Sequence, residues 1–380
     1  MRLSSFVIAL TCLTPAALAA QDSSAFVMRL GRDTVGLERV TRTADRIRGE
    51  YVLRAPRPVH ALYTADLDAD GTVRRLELIT HNLTGDGPAE TRAIVEITGD
   101  SATLTLPRGD STVTQRVAAG AGAVIWLGYP PSSFAQLGRQ ARAAGAFPYT
   151  VPFLTVGQLA GTVTVTRTGG DTLAATLVMS IGRAGPIRMT LDGAGGLTWL
   201  SGVGTPLQIV AERVAGVDIA AAGPAFAARP LGTLSPRDTV RGAVDGADVW
   251  VHYGRPSKRG REIFGQVVPW DEVWRTGANA ATHFHTPVDL RIGGSDVPAG
   301  TYTLWTLPSR GGWKLIVNRQ TGQWGTDYHA DRDLVRVDLA VETLPASVEL
   351  FTMAIEPAGA GAVLRMSWDR TRVSVPIVRK

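Results

Sequence analysis

Residues 59–80 read VHALYTADLDADGTVRRLELIT, and their alternation decides the fold. Two period-two runs flank Asp68-Ala69-Asp70-Gly71. Successive side chains of a strand point to opposite faces, so each run sets apolar residues on one face and Arg, Glu or Thr on the other. That is the pattern of a half-buried antiparallel strand. The Asp-Ala-Asp-Gly segment reads as a hairpin turn, with Gly71 free to take positive φ. A calcium loop is excluded there, because no Gly and distal Glu follow at EF-hand spacing.

The same alternation extends outward. FVMRLGRDTVGLERVTRT and RIRGEYVLR precede the stretch, and ETRAIVEITG, ATLTLP and STVTQRVA follow it. One interruption is helical. Ser132 or Ser133 is a candidate cap, Phe134, Leu137, Ala141 and Ala144 share a face, and Gly145 ends the run. PFLTV, GTVTVTR, TLAATLVMS, PIRMTLD, LTWLSG and LQIVAERV then resume the strands. A single helix in such a meander is expected to fill the concave side of a curved sheet, since each element has one apolar face to bury. Residues 216–234 are rich in Ala, Gly and Pro, lack periodicity and read as a structureless linker. From 235 to 380, short alternating runs between Gly and Pro turns predict an antiparallel β-sandwich, with a hairpin at Ser309-Arg310-Gly311-Gly312. The expected fold class is therefore all-β and mainly antiparallel, with one helix near 132–145. The expected domains are a β-meander over 21–215 and a sandwich over 235–380.

Residues 1–20 carry Arg2, an apolar run from Leu3 to Leu13 and Ala17-Leu18-Ala19, the layout of a secretory signal peptide. Cleavage is expected near Ala19/Ala20, giving a periplasmic or extracellular protein with no transmembrane segment. The apolar run is shorter than the ~20 residues a membrane span needs. Cys12, the only cysteine, lies inside that segment, so the mature chain must hold its cores without disulfides. Net charge is +5, carried almost wholly by arginine, with acids interspersed throughout. No basic run resembles a nucleic-acid arm, and nucleic acid is not an expected partner. No αβ alternation or Gly-rich phosphate loop follows a strand, so no cofactor is expected.

The densest chemistry lies between Val249 and Thr282, VWVHYGRPSKRGREIFGQVVPWDEVWRTGANAAT. Gly254, Pro256, Gly260, Gly265, Pro269 and Gly277 punctuate it, which argues for looped backbone. Arg255, Lys258, Arg261, Trp274, Arg275 and Asn279 are the candidate ligand-binding residues. Arginines make planar bidentate contacts to oxyanions, and Trp270 and Trp274 offer stacking walls. The expected ligand is a small anion or a sugar-like molecule, with the cations converging on one concave patch near Trp274. The competing structural reading pairs the arginines with Glu262, Asp271, Glu272 and neighbouring carbonyls.

YGRPSKRGREIFG, VPWDEVWRTGANAAT, VPAGTYTLWTLP, WKLIVN, QWGTDY and DLVRV occur in that order. In this it resembles a bacterial exported domain-of-unknown-function family, number 2911, over about residues 234–378. The resemblance implies an all-β domain and no established activity. The family pattern usually has an acidic residue after Gly-Ala-Asn; here Ala280 stands in its place.

Two alternatives stay open. A hydrolase or lyase in the same pocket needs a titratable group beside the arginines, with His252 or Asp271 as candidates. There is no G-x-S-x-G elbow, no mature cysteine and no identifiable carboxylate pair. A metal-binding protein would use His283 and His285, which flank Phe284 and share a strand face, with His252, His329 and Asp327 as further donors. An H-x-H pair alone is half a site, so no metal is expected.

Overall fold

The structure, a computed structural model, describes residues 22–380 apart from 86, 110, 121, 157–159, 180–181 and 206. Residues 1–20, read from the sequence as a signal peptide, lie outside the described residues.

The first sheet begins with eight strands: β1 (Asp22–Leu30), β2 (Asp33–Arg42), β3 (Arg46–Leu53), β4 (Val59–Leu67), β5 (Val73–Asn82), β6 (Glu90–Thr98), β7 (Ser101–Arg108) and β8 (Ser111–Ala118). β9 (Val124–Trp126) and the helix α1 (Ser132–Ala144) follow. The rest are β10 (Tyr149–Thr155), β11 (Ala160–Gly169), β12 (Thr172–Met179), β13 (Gly182–Leu191), β14 (Leu197–Ser201) and β15 (Val210–Val214). β1 to β8 step outward in one direction, and β9 to β15 step back from the far edge until β15 pairs with β1. All neighbours are antiparallel except β9 and β10, which α1 connects as a crossover.

The hairpin turn at Asp68–Gly71 forms as expected. Gly71 takes φ 81°, and the Asp70 carboxylate accepts from the amide and hydroxyl of Thr72. Phe134, Leu137 and Ala141 of α1 are buried in one cluster with Met28, Phe153 and Leu200, so the helix packs on the inner face of the sheet. Ala144 is exposed. Neither serine caps α1; the helix starts from Pro131 without a side-chain cap. The buried Glu38 of β2 takes over, accepting from the Ser132 amide at 3.1 Å and from the Tyr63 hydroxyl at 2.7 Å. Burial pushes its carboxyl up to about 7, and these bonds to Ser132 and Tyr63 oppose the shift.

The stretch 216–234 departs from its expected lack of structure. It carries a second helix, α2 (Ile219–Ala228), capped by the Asp218 carboxylate on the Ala221 amide. Ala-rich composition supports it. It packs on β2 and β3, and Arg54 bonds the Arg229 carbonyl at 2.6 Å while its backbone carbonyl accepts from Leu231.

The second sheet has nine strands: β16 (Arg237–Val244), β17 (Ala247–Gly254), β18 (Thr282–Thr286), β19 (Leu290–Ile292), β20 (Ser295–Val297), β21 (Gly300–Ser309), β22 (Gly312–Asn318), β23 (Asp333–Ala358) and β24 (Gly361–Arg379). Their order is β16-β17-β18-β21-β22-β23-β24-β19-β20. The two-layered packing comes from one sheet folded back through its longest strands. The first part of β23 pairs with β22, while residues 340–358 pair with β24 and, at Leu350, bridge to Ser257. The far end of β23 returns over β16 and β17. A side chain at Gly242 would meet Ile355 at 2.5 Å, and the Tyr253 hydroxyl accepts from the Met353 amide. Val251, Phe284, Leu315, Phe351, Met366 and Trp368 fill the space between. The hairpin at Ser309 and Gly312 forms between β21 and β22 as expected. Among the described residues no helix is long and apolar enough to cross a membrane.

Candidate functional site

Residues 255–281 connect β17 to β18 as one long loop. Seven non-glycine residues among those described have positive φ, and Arg259, Asp271, Thr276 and Asn279 of this loop are four of them. Left-handed backbone is costly for a β-branched residue, so Thr276 at φ 51° must be held by its surroundings. It is fully buried, its hydroxyl bonds the Thr306 hydroxyl at 3.2 Å, and its carbonyl accepts from the Thr282 hydroxyl at 2.8 Å. Trp274 and Thr306 exchange both backbone hydrogen bonds, at 2.8 and 2.9 Å. Gly254 and Gly277 allow the loop's two ends to touch: a side chain at Gly254 would lie 2.2 Å from the Ala278 carbonyl. Arg275 and Asn279 are therefore presented from rigid backbone.

The candidate cations divide. Arg255 bonds Asp238 at 2.9 Å, the Thr352 hydroxyl at 2.9 Å and the Phe351 carbonyl at 3.2 Å. Lys258 pairs with Asp369 at 2.5 Å. Both side chains strap the loop to β23 and β24 and do not join a patch with Arg275. Arg261 donates to the carbonyls of Ser257 and Lys258, at 2.6 and 3.0 Å, and reaches Gln208 in the connection before β15 at 3.4 Å. Burial, then the neighbouring Arg259, lowers its pKa to about 10. Arg259, absent from the expected set, pairs with Asp33 at 2.6 Å and accepts the Arg32 amide on its carbonyl at 2.9 Å. This part of the loop joins the two sheets. Its partners lie up to 226 positions away in sequence.

Arg275 differs from these in having no bonded side-chain nitrogen at all; the Arg259 Nε is likewise buried without a partner, but its Nη1 holds Asp33. Among the described residues the Arg275 side chain has no hydrogen bond and no ion pair, and its Nε is buried without a partner. Its stem lies against Gly325, where a β-carbon would sit 2.4 Å from its Cδ. Burial alone lowers its pKa to about 10. It lines a cleft of about 460 Å³ between the two sheets. Leu30, Tyr129, Leu207 and Ile209 of the first sheet's side face Trp274, Asn279, Tyr328 and Trp368 of the second's. Arg261, Trp274, Arg275 and Asn279 thus share one cleft, whereas Arg255 and Lys258 lie outside its lining. Trp274 stacks on Trp368 with centroids 5.8 Å apart. Trp270 instead packs on Phe264 and Trp313, with Arg310 over its ring.

The histidines lie elsewhere. His252 and His283 are cross-strand partners, as are Trp250 and His285, whose rings stack at 5.3 Å. His283 uses both ring nitrogens, Nδ1 toward the Ala281 carbonyl and Nε2 accepting from the Gly322 amide. Burial lowers its pKa, as it does for His252, whose Nε2 accepts from Arg237. His283 thus has no free nitrogen for a metal. Among the described residues no group of three or more His, Cys, Asp or Glu side chains is placed to hold a metal ion. His60 and His81 stack across β4 and β5 beside Glu50 and Glu90.

Residues 235–377 match the family model described as a protein of unknown function, DUF2911. No curated protein matches the chain. Two solved structures are similar to it. One is a DUF1089 family protein from Pseudomonas aeruginosa, at 14% identity and TM-score 0.34, covering 44% of this chain and 89% of that one. The other is a β-barrel-like protein of the domain of unknown function DUF1849 from Brucella abortus, at 15% identity and TM-score 0.35, covering 52% of this chain and 96% of that one.

Proposed function

We propose that this protein is an exported binding module whose cleft between the two sheets takes a small organic anion, a sugar acid included. Arg275 is the anchoring cation, Asn279 a second polar contact and Trp274 an apolar wall. The observation that carries this reading is the unpartnered Arg275. A guanidinium with a buried, unbonded Nε is costly, and a bidentate oxyanion removes that cost. Every other candidate cation of the loop already has its partners. Neither His252 nor Asp271 lines the cleft, and Glu272, the one carboxylate that does, has no second carboxylate or histidine in the lining to work with, which favours a binding role over a hydrolase or lyase. A purely structural role accounts for Arg255, Lys258 and Arg261 but not for Arg275.

The test is a thermal-shift screen of small carboxylates, phosphates and neutral sugars against wild type and Arg275→Met. A ligand at about 100 times its Kd stabilises by about 2.7 kcal/mol. The expected result is a shift with anions in the wild type and none in the variant. Equal shifts in both proteins, or none with any anion, would remove the reading. Export is supported by the layout of residues 1–20, and N-terminal sequencing of secreted protein checks cleavage near Ala19/Ala20.

A further inference from the structure

We infer that the ligand of this cleft is zwitterionic, an apolar α-amino acid or a molecule that presents an ammonium and a carboxylate in the same way. The inference rests on the binding role proposed for Arg275 and narrows its ligand class.

Four charged side chains line the cleft: Arg259, Arg261, Glu272 and Arg275. Two are committed. Arg259 pairs with Asp33, and Arg261 is held by two carbonyls and Gln208. The other two are free. Arg275 has no polar partner among the described residues, and neither does Glu272, which is exposed at the cleft's edge. They stand three residues apart on one loop, so their backbones are within about 11 Å. Opposite charges that close would ordinarily pair. Among the described residues no ion pair joins them, and the loop that carries them is fixed by its own bonds: the Asp271 amide to the Pro308 carbonyl, Trp274 to Thr306, and Thr276 in its left-handed turn.

The chemistry the cleft offers a ligand is therefore the unbonded Arg275 guanidinium, the unpartnered Nε of Arg259, and the solvent-facing Glu272 carboxylate and Asn279 amide. A simple anion would satisfy Arg275 but face repulsion from Glu272, and a simple cation would meet the reverse. A zwitterion satisfies both, its carboxylate on Arg275 and its ammonium on Glu272. Leu207, Ile209, Val267 and Trp274 supply apolar wall for a side chain, the usual division of labour in small-molecule sites.

The experiment is calorimetric titration with L-phenylalanine, L-leucine, 3-phenylpropionate and 2-phenylethylamine. It uses wild type, Glu272→Gln and Arg275→Met. In the wild type an amino acid should bind at least about tenfold more tightly than its single-charge analogues, the low end for losing a hydrogen bond to a charged group. Glu272→Gln should erase that advantage while 3-phenylpropionate binds as well or better, and its melting point should not change. If 3-phenylpropionate matches L-phenylalanine in the wild type and is lost in Arg275→Met, the zwitterion is refuted and the anion site stands. If none of the four binds, the zwitterion is refuted, and the anion screen decides the wider reading separately.

Discussion

Replacing Arg275 with methionine should make the unliganded protein more stable. Methionine keeps an unbranched stem over Gly325 and removes the charge and the buried, unbonded Nε. Burial holds the Arg275 pKa down to about 10 from an ordinary 12.5. For a base whose folded pKa is depressed, the cost falls on the charged form. It is present in full at neutral pH and is relieved only as pH rises through about 10. At about 1.36 kcal/mol for each unit of pKa, the cost is at most about 3 kcal/mol. Water in the open cleft screens it, so roughly 1–2 kcal/mol is the expected gain. In a chain of this size that raises Tm by a few degrees, from ~2–4 °C per kcal/mol. Differential scanning calorimetry at neutral pH, without added anions, reads it directly. A fall in Tm would refute the reasoning, since it would mean that the guanidinium holds the loop in place.

Glu38 carries a pH dependence of the folded state. Its carboxyl titrates at about 7 when folded against 4.5 otherwise, so the folded state binds its proton first. Stability should rise as pH falls from about 7 toward 4.5 and be lowest above 7, by up to about 3 kcal/mol. Glu38→Gln should flatten that part of the profile in denaturant titrations, and an unchanged profile would contradict the assignment. The Arg259–Asp33 pair should couple the two sheets. A double-mutant cycle with Arg259→Ala and Asp33→Ala should give an interaction of roughly 0.5–3 kcal/mol, and a value near zero would remove its role as a clasp. Residues 235–380 should unfold cooperatively when expressed alone, because their core is formed within the second sheet. A non-cooperative fragment would show that the clasp is required for folding.

What was legible in the sequence was local. Alternation marked the strands, and Asp70 with Gly71 marked a turn that needs no distant partner. The inward face of α1 was visible in Phe134, Leu137 and Ala141. α2 was not, because Ala, Gly and Pro224 give it no amphipathic stripe; its Asp218 cap and its packing on β3 hold it. The cap of α1 was misread for a related reason: Glu38 reaches Ser132 from 94 positions away. In the loop, sequence marked the right residue types but could not separate committed cations from free ones. Lys258 is neutralised by Asp369 and Arg259 by Asp33, partners that only the folded sheets supply. The freedom of Arg275 is equally a property of the fold.

The central claim, that Arg275 is the ligand-binding cation of the cleft, is tested most directly by watching its own N–H. In isotope-labelled protein the arginine Nε–Hε correlation of Arg275 is identified by its loss in Arg275→Met. Titration with L-phenylalanine and with 3-phenylpropionate should shift that signal saturably, while those of Arg46 and Arg255, whose Nε–H groups already donate to Asp66 and to the Phe351 carbonyl, stay in place. A signal from Arg275 that does not move with either compound, or movement confined to the paired arginines, would contradict the account.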